Sequence, residues 1–419
     1  MNKGSFNRRH ILVSGSALLA SPAIVSARAA VPEVVIGAIY PLSGSSAQIG
    51  VDAKWAFETA LDMINNSHDL DLITAKAAGL AGLGGAKVKI LYADHQADPE
   101  KGRAEAERLI TENKVCALIG AYHSAVAATV SATAERYGVP FVAADSTAPD
   151  LSRRGLKFFF RPGPNDEIFT KGMFDFMDGL KAKGAKIETL ALFYEDTIFG
   201  SGSAKVQRKM AADRGYKIVA DVKYQAKTPS LTAEVQQLKT ANADVLMPSS
   251  YTDDAILLVK TMDELGYKPK NIVAQAAGFS EKALFDAEGD KLQGLISRAS
   301  FSLDMASKRK SIGVVNDMFK ARSKFDLNDN TSRQFMAALV LADAIDRAKS
   351  TNGEKIRAAL AATDVPGAQT IMPWRDVKFA PTGQNRDADP VLLQYQSGKF
   401  TTIYPADVAV AAAKWPMNG

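Results

Sequence analysis

The sequence predicts an α/β protein built from parallel sheets covered by helices on both faces. Three observations carry that prediction. From residue 34 onward, short apolar runs alternate with amphipathic stretches of helical length, the pattern of repeated strand–helix–strand units. The rhythm breaks at FFFRPGP, residues 158–164, where an aromatic run ends in two prolines, as at a crossing between domains. The length, 419 residues, exceeds a single domain of about 100–200 residues, so two or three domains are expected.

The chain opens with a segment outside that fold. Residues 1–29 hold Lys3, Arg8, Arg9 and Arg28 and no acidic residue. Arg8-Arg9-His10-Ile11-Leu12 leads into a mildly apolar run that ends at Ala27-Arg28-Ala29. A basic start, an apolar middle and small residues at the end make an export signal, and the paired arginines resemble a twin-arginine signal. Ser14, Gly15, Ser16 and Pro22 leave the run too short and too broken for a membrane span of about 20 residues. Cleavage near Ala29 and a soluble mature chain in the periplasm are therefore expected. No cysteine lies near that point to take a lipid. The leader also accounts for the charge. The whole chain has 51 basic and 46 acidic residues, a net of +5, while residues 30–419 keep 47 basic groups against all 46 acids. Composition thus gives no reason to expect nucleic acid as a partner.

Strands are expected at 34–39, 88–92, 116–119 and 140–143, with helices at 48–65, 99–112 and 125–137 between them. After the break, strands at 190–194, 218–222, 245–247 and 272–274 alternate with helices at 202–214, 232–242 and 254–265. In the last of these helices Ile256, Leu257, Val259 and Met262 fall near helical spacing. Tyr137-Gly138 and Leu265-Gly266 put glycine just past a helix end, where a left-handed residue is needed. The stretch AAGLAGLGGA at 77–86 reads as a flexible surface loop. It lacks Gly-Lys-Ser/Thr and leads into a strand, so it is no phosphate loop. After an apolar run at 295–301, helices at 308–325, 332–348 and 353–361 return the chain to its first domain, and strands at 377–379, 391–395 and 400–403 end it.

No catalytic constellation stands out. The one cysteine, Cys116, excludes an intrachain disulfide framework and reads as a buried small residue. His68 lies in a polar loop, and His95 lacks a second His or Cys for a metal and reads as a hydrogen-bonded loop residue. His123 and Ser124 are neighbours, whereas a nucleophile and its base are rarely adjacent, and no Gly-x-Ser-x-Gly elbow occurs. Gly200-Ser201-Gly202 lacks the third glycine of a dinucleotide fingerprint. No enzyme activity, metal or cofactor is expected.

What recurs instead is polar residues where strands end and helices begin. Tyr122, His123 and Ser124 follow the run at 116–119, and Asp145, Ser146 and Thr147 follow the run at 140–143. Ligands of parallel sheets bind beyond the carboxyl ends of the strands, and a helix N-terminus there suits a carboxylate. The same hydroxyls also serve as ordinary helix caps.

An ordered set of motifs extends this reading. Gly37-Ala38-Ile39-Tyr40-Pro41-Leu42-Ser43-Gly44 precedes Ala47-Gln48-Ile49-Gly50. Asp94 with Asp98-Pro99 follows, then Ile119-Gly120 with Ser124, and Val139-Pro140-Phe141 with Ser146-Thr147-Ala148-Pro149. Phe159-Phe160-Arg161 comes next, and Tyr194-Glu195-Asp196 stands before Phe199-Gly200. Over essentially all of residues 33–405 the chain resembles a Leu/Ile/Val-binding-type periplasmic substrate-binding protein. The resemblance implies two Rossmann-like lobes, parallel sheets flanked by helices, joined by three crossovers: the type I periplasmic binding protein fold. Lobe one would take residues 30–160 and 300–370, lobe two 161–299 and 371–419. It implies a monomer that binds a small-molecule ligand between the lobes and presents it to an ABC permease with its ATPase subunits. A sensory receptor for a signalling partner and a periplasmic enzyme are the competing readings.

By position, the resemblance assigns the ligand's carboxylate or amide to the loops of Tyr122, His123 and Ser124 and of Asp145, Ser146 and Thr147. Tyr194 and Tyr251 would cover it from lobe two. Ile49 stands where some members carry an aromatic residue. Amino-acid binders of this family place an acid after the strand at 272–274, where this chain reads Gln275-Ala276-Ala277-Gly278. A buried ammonium without a negative partner is costly, so the sequence leans away from an α-amino acid. Asp145, Glu195 or Asp253 would have to supply the charge. Amino acids, amides and organic or aromatic acids all stay open.

Overall fold

The computed structural model describes Met1 and residues 33–417. The export signal expected at 1–29 therefore lies outside the described residues, Met1 apart. Among the described residues, no helix is long and apolar enough to cross a membrane.

The first lobe begins with β1 (Glu33–Tyr40), α1 (Ala47–Asn65), β2 (Lys87–Asp94), α2 (Pro99–Thr111), β3 (Leu118–Gly120), α3 (Ser124–Tyr137), β4 (Phe141–Ala143) and β5 (Phe159–Phe160). Its sheet runs β2-β1-β3-β4-β5, every neighbouring pair parallel. Both faces are covered, which is why its strands read as near-continuous apolar runs. Along β1, Ile36, Ala38 and Tyr40 enter the core shared with α1, while Ile39 enters the core shared with α2 and α3, the period of two that a strand imposes. Asp98 caps α2, accepting from the amides of Glu100 at 2.7 Å and Lys101 at 3.0 Å, with Pro99 in the first turn.

The second lobe holds α4 (Asp166–Ala182), β6 (Thr189–Glu195), α5 (Ile198–Asp213), β7 (Lys217–Tyr224), α6 (Thr232–Ala241), β8 (Val245–Ser249), α7 (Thr252–Glu264), β9 (Val273–Ala274), α8 (Lys282–Glu288) and β10 (Ile296–Ala299). The chain then returns through α9 (Lys310–Ser323), α10 (Asp329–Ala348), α11 (Gly353–Ala361), β11 (Asp364–Pro366) and β12 (Asp376–Lys378), and closes with β13 (Val391–Gln396) and β14 (Lys399–Tyr404). Strands β7-β6-β8 are parallel, and single bridges from Leu246 to Ile272 and from Ser250 to Ala277 link β8 to the next set. That set runs β14-β13-β10-β9, with β13 and β14 antiparallel to their neighbours. The second sheet is thus parallel with an antiparallel edge.

Three further differences from the sequence reading have local causes. Helix α4 was not expected. It is capped by Asn165, which accepts from the Ile168 amide at 3.0 Å, and the prolines just before it hide its start. The glycine-rich stretch at 77–86 is a tight turn anchored to α10, with the Gly82 amide donating to Asp346 at 2.6 Å and Leu80 and Ala86 buried. The family resemblance implied a last crossing near Thr370. Ile371, Met372, Trp374, Val377 and Ala388 still pack in the first core with α10, because the β11–β12 hairpin folds back onto that lobe.

The crossings are tied together by buried charge. Arg161 donates to Gln384 Oε1 at 2.6 Å and to the carbonyls of Ser146 at 2.9 Å and Ala148 at 3.0 Å. Asp329, at the start of α10, receives the Ser300 amide at 2.5 Å, Arg333 at 2.9 Å and Arg298 at 3.4 Å. Paired and hydrogen-bonded in this way, such charges are tolerated inside a fold.

Candidate functional site

The carboxyl ends of both sheets face one cavity of about 440 Å³. Each wall is set by local sequence. Asp94, at the end of β2, receives the Leu42 amide at 2.8 Å and the Ser43 hydroxyl at 2.5 Å. It thereby fixes the loop that presents Ser46, Ile49 and Asp52 to the cavity. Strand β3 delivers Tyr122 and His123 just before α3. Strand β6 ends at Glu195, and β8 ends just before Tyr251. A Cβ on Gly200 would lie 2.2 Å from the Glu195 carbonyl oxygen, and one on Gly278 would lie 2.8 Å from that of Tyr251. Glycine is therefore required at both places for these two side chains to sit where they do.

Of the residues expected from sequence, Ile49, Tyr122, His123 and Tyr251 come together on the cavity wall. The Tyr251 ring lies 5.3 Å from Tyr122 and 4.8 Å from His123, centroid to centroid, so the two lobes touch through these rings. Ser124 is the first residue of α3, and His123, the residue before it, makes no side-chain cap bond. Its amide donates to the Tyr251 hydroxyl at 3.4 Å.

The remaining expected residues lie off the wall. Asp145 sits behind it, receiving the Tyr40 hydroxyl at 2.6 Å and Gln334 at 3.3 Å; burial pushes its carboxyl up to about 6. The Ser146 hydroxyl donates to the Tyr122 carbonyl at 3.2 Å, so it props the cavity loop from outside. The Thr147 carbonyl accepts the Asp166 amide at 2.9 Å. Tyr194 packs with Leu190 and Leu192 on the opposite face of β6, with its hydroxyl held by Arg208. Gln275 is fully buried, donating to Asp166 at 3.0 Å and accepting from Thr170 at 3.2 Å.

Three acids on the wall set its chemistry: Glu195, one of those the sequence offered as a source of negative charge, and Asp52 and Glu281, which it did not. All are buried, at 0%, 8% and 5% exposure. Gln48 donates to Asp52 at 2.7 Å. Thr197 and the Tyr251 amide donate to Glu195 at 2.7 and 3.2 Å. The Asn330 amide donates to Glu281 across the lobes. None of the three carboxylates makes a salt bridge among the described residues. Burial pushes Asp52 up to about 6 and Glu195 up to about 8. Burial, reinforced by the charge of Asp52, pushes Glu281 up to about 8. Glu195 was legible from strand parity, since it shares the face of Ala191 and Phe193. Glu281 was not. The turn that delivers it needs Ala276 and Ala277 at φ of 50° and 51°, a left-handed conformation that alanine rarely adopts.

The histidines divide in role. The Ala97 amide donates to His95 Nδ1 at 3.0 Å, so Nε2 carries the proton and donates to the Ala121 carbonyl at 3.0 Å. Burial lowers His95 to about 4. It is the hydrogen-bonded loop residue that the sequence implied. Burial drives His123 well below the ordinary range, with the charges of His95 and Lys227 adding to it. The ring is neutral, its Nε2 lies 3.4 Å from the Ser46 hydroxyl, and its Nδ1 has no partner.

The family model described as a periplasmic binding protein matches residues 33–403. The Leu/Ile/Val-binding protein homolog 8 of Brucella suis biovar 1 (strain 1330) is 28% identical over 412 residues, covering 96% of this chain and 98% of that protein. The branched-chain amino acid transporter substrate binding protein LivJ of Streptococcus pneumoniae, solved with isoleucine, aligns with a TM-score of 0.73 at 20% identity. That alignment covers 89% of this chain and 100% of that one. An ABC transporter solute binding protein from R. palustris, solved with 4-hydroxybenzoate, aligns with a TM-score of 0.72 at 18% identity over 88% of this chain and 95% of that one.

Proposed function

The chain belongs to the periplasmic binding protein family, and from that premise we propose that it is the exported substrate-binding component of an ABC importer. The observation that carries the reading is the cavity itself. Tyr122, His123 and Asp52 from one lobe face Tyr251, Glu195 and Glu281 from the other, so one small solute touches both lobes. A ligand that contacts both stabilises the closed form by its differential affinity. The closed monomer is then the form that the permease and its ATPase subunits recognise. The leader at 1–29 routes the chain to the periplasm and is removed near Ala29.

The relatives' ligands, isoleucine in one structure and 4-hydroxybenzoate in another, set the size and polarity of the solutes to try. The test is a thermal-shift screen of the purified mature chain against amino acids, amides and organic acids. A solute at 100 times its dissociation constant raises stability by about 2.7 kcal/mol, a clear shift in Tm. Chemical turnover of the bound solute, or no shift with any class, would overturn the reading.

A further inference from the structure

We infer that the solute carries a net positive charge: an organic cation with more ammonium or guanidinium groups than carboxylates. This deepens the reading of the cavity as the solute site and rests on it. The wall brings together buried Asp52, Glu195 and Glu281 from three separate segments, α1, β6 and the turn before α8. Their hydrogen-bond partners, Gln48, Thr197, the Tyr251 amide and Asn330, are all neutral. Among the described residues, the only lysines on the wall, Lys227 and Lys282, are exposed at its rim, and Lys282 is paired with Asp286.

A buried carboxylate without a cation is costly and takes up a proton instead: burial pushes Glu195 and Glu281 up to about 8, and a fourth buried acid, Asp254, also lines the cavity. A branched-chain amino acid brings one ammonium but adds another carboxylate, so the balance of charge in the cavity is unchanged. A neutral amide brings none. Only a solute with surplus positive charge lets these buried acids give up their protons and pair with it.

A second, independent feature points to a ligand. Tyr122 and His123 line the cavity at 5% and 8% exposure, yet the Tyr122 hydroxyl and His123 Nδ1 have no hydrogen-bond partner. Buried polar atoms are normally satisfied, and each nitrogen of a neutral imidazole accepts or donates according to the tautomer, so a polar group of a ligand can pair with Nδ1. The rings of Tyr122 and Tyr251 add faces that attract a cation. Among the described residues, no three His, Cys, Asp or Glu side chains are grouped to hold a metal ion.

The test is isothermal titration of the mature chain at pH 7.5 with five probes: lysine, 1,5-diaminopentane, leucine, acetamide and 4-hydroxybenzoate. The expected result is saturable 1:1 binding of lysine or the diamine, at least tenfold tighter than any of the other three. Glu281→Gln and Asp52→Asn should each weaken the cation about tenfold or more, and Glu281→Asp should recover part of the loss. Tighter binding of leucine, acetamide or 4-hydroxybenzoate than of both cations overturns the charge inference while leaving a solute-binding protein. Absence of binding by all five overturns it as well, and the thermal-shift screen then decides whether the solute-binding reading falls with it.

Discussion

Replacing Glu281 by Gln removes a titrating carboxyl from the cavity while keeping the oxygen that accepts from Asn330. The carboxyl has an ordinary value of 4.5 and sits at about 8 in the fold, through burial and the charge of Asp52. Between about pH 5.5 and 7.5 the native chain therefore holds a proton that the unfolded chain has released. Excess protons on the native state make stability fall as pH rises, at about 1.4 kcal/mol per pH unit for each such group. Stabilisation from the raised value is complete below the unfolded value and is lost as pH approaches 8. Glu281→Gln should remove one such contribution. Relative to wild type, the ligand-free variant gains about 2–3 kcal/mol between pH 5.5 and 7.5. Urea unfolding, followed by far-UV circular dichroism and tryptophan fluorescence at three pH values, measures the two slopes. Parallel pH dependence in variant and wild type would refute the reasoning, because it would mean that Glu281 is ionised in the native cavity.

Other perturbations separate wall from support. Tyr251→Ala removes two ring contacts across the lobes, about 1–3 kcal/mol of closed-state stabilisation at 0.5–1.5 each. Small-angle scattering should show a larger radius of gyration and titration a weaker solute affinity. Tyr194→Phe and Thr147→Ala should leave solute affinity within about twofold, since neither residue lines the cavity. Tyr194→Phe should also cost about 0.5–1.5 kcal/mol in urea unfolding, for the lost bond with Arg208. Asp329→Asn leaves Arg298 and Arg333 short of a buried negative partner and should lower stability by about 3–5 kcal/mol. A loss under 1 kcal/mol would mean that this ion network is not what holds the crossing.

Most of the architecture was legible because it rests on local periodicity. The apolar runs of β1, β3, β4, β6 and β8 lie where expected, since strands buried on both faces must be apolar throughout. Gly138 ends α3 in the left-handed conformation at φ 63°, and Gly266, just past α7, has φ 60°. Tertiary relationships were less legible. The antiparallel edge of β13 and β14, and the hairpin that keeps Trp374 and Val377 in the first core, depend on contacts far apart in sequence. In the site, the loop bearing Tyr122 and His123 was readable because a strand end before a helix marks it. The second such loop was readable too, but Asp145, Ser146 and Thr147 support the wall from behind. Choosing Tyr194 over Glu195 is a one-residue step along a strand, and one step reverses the face. Looking for an acid directly after β9 led to Gln275 and missed Glu281, which a turn through two left-handed alanines carries to the cavity.

The central claim is that one solute occupies the cavity between Tyr122, His123 and Asp52 on one side and Tyr251, Glu195 and Glu281 on the other. A crystal structure of the mature chain with the tightest-binding solute tests it most directly. The account predicts density for a single molecule there, with nitrogen atoms within hydrogen-bond distance of at least two of the three carboxylates and with contacts to both lobes. Density for the solute anywhere else, or a molecule in the cavity touching one lobe only, would contradict it.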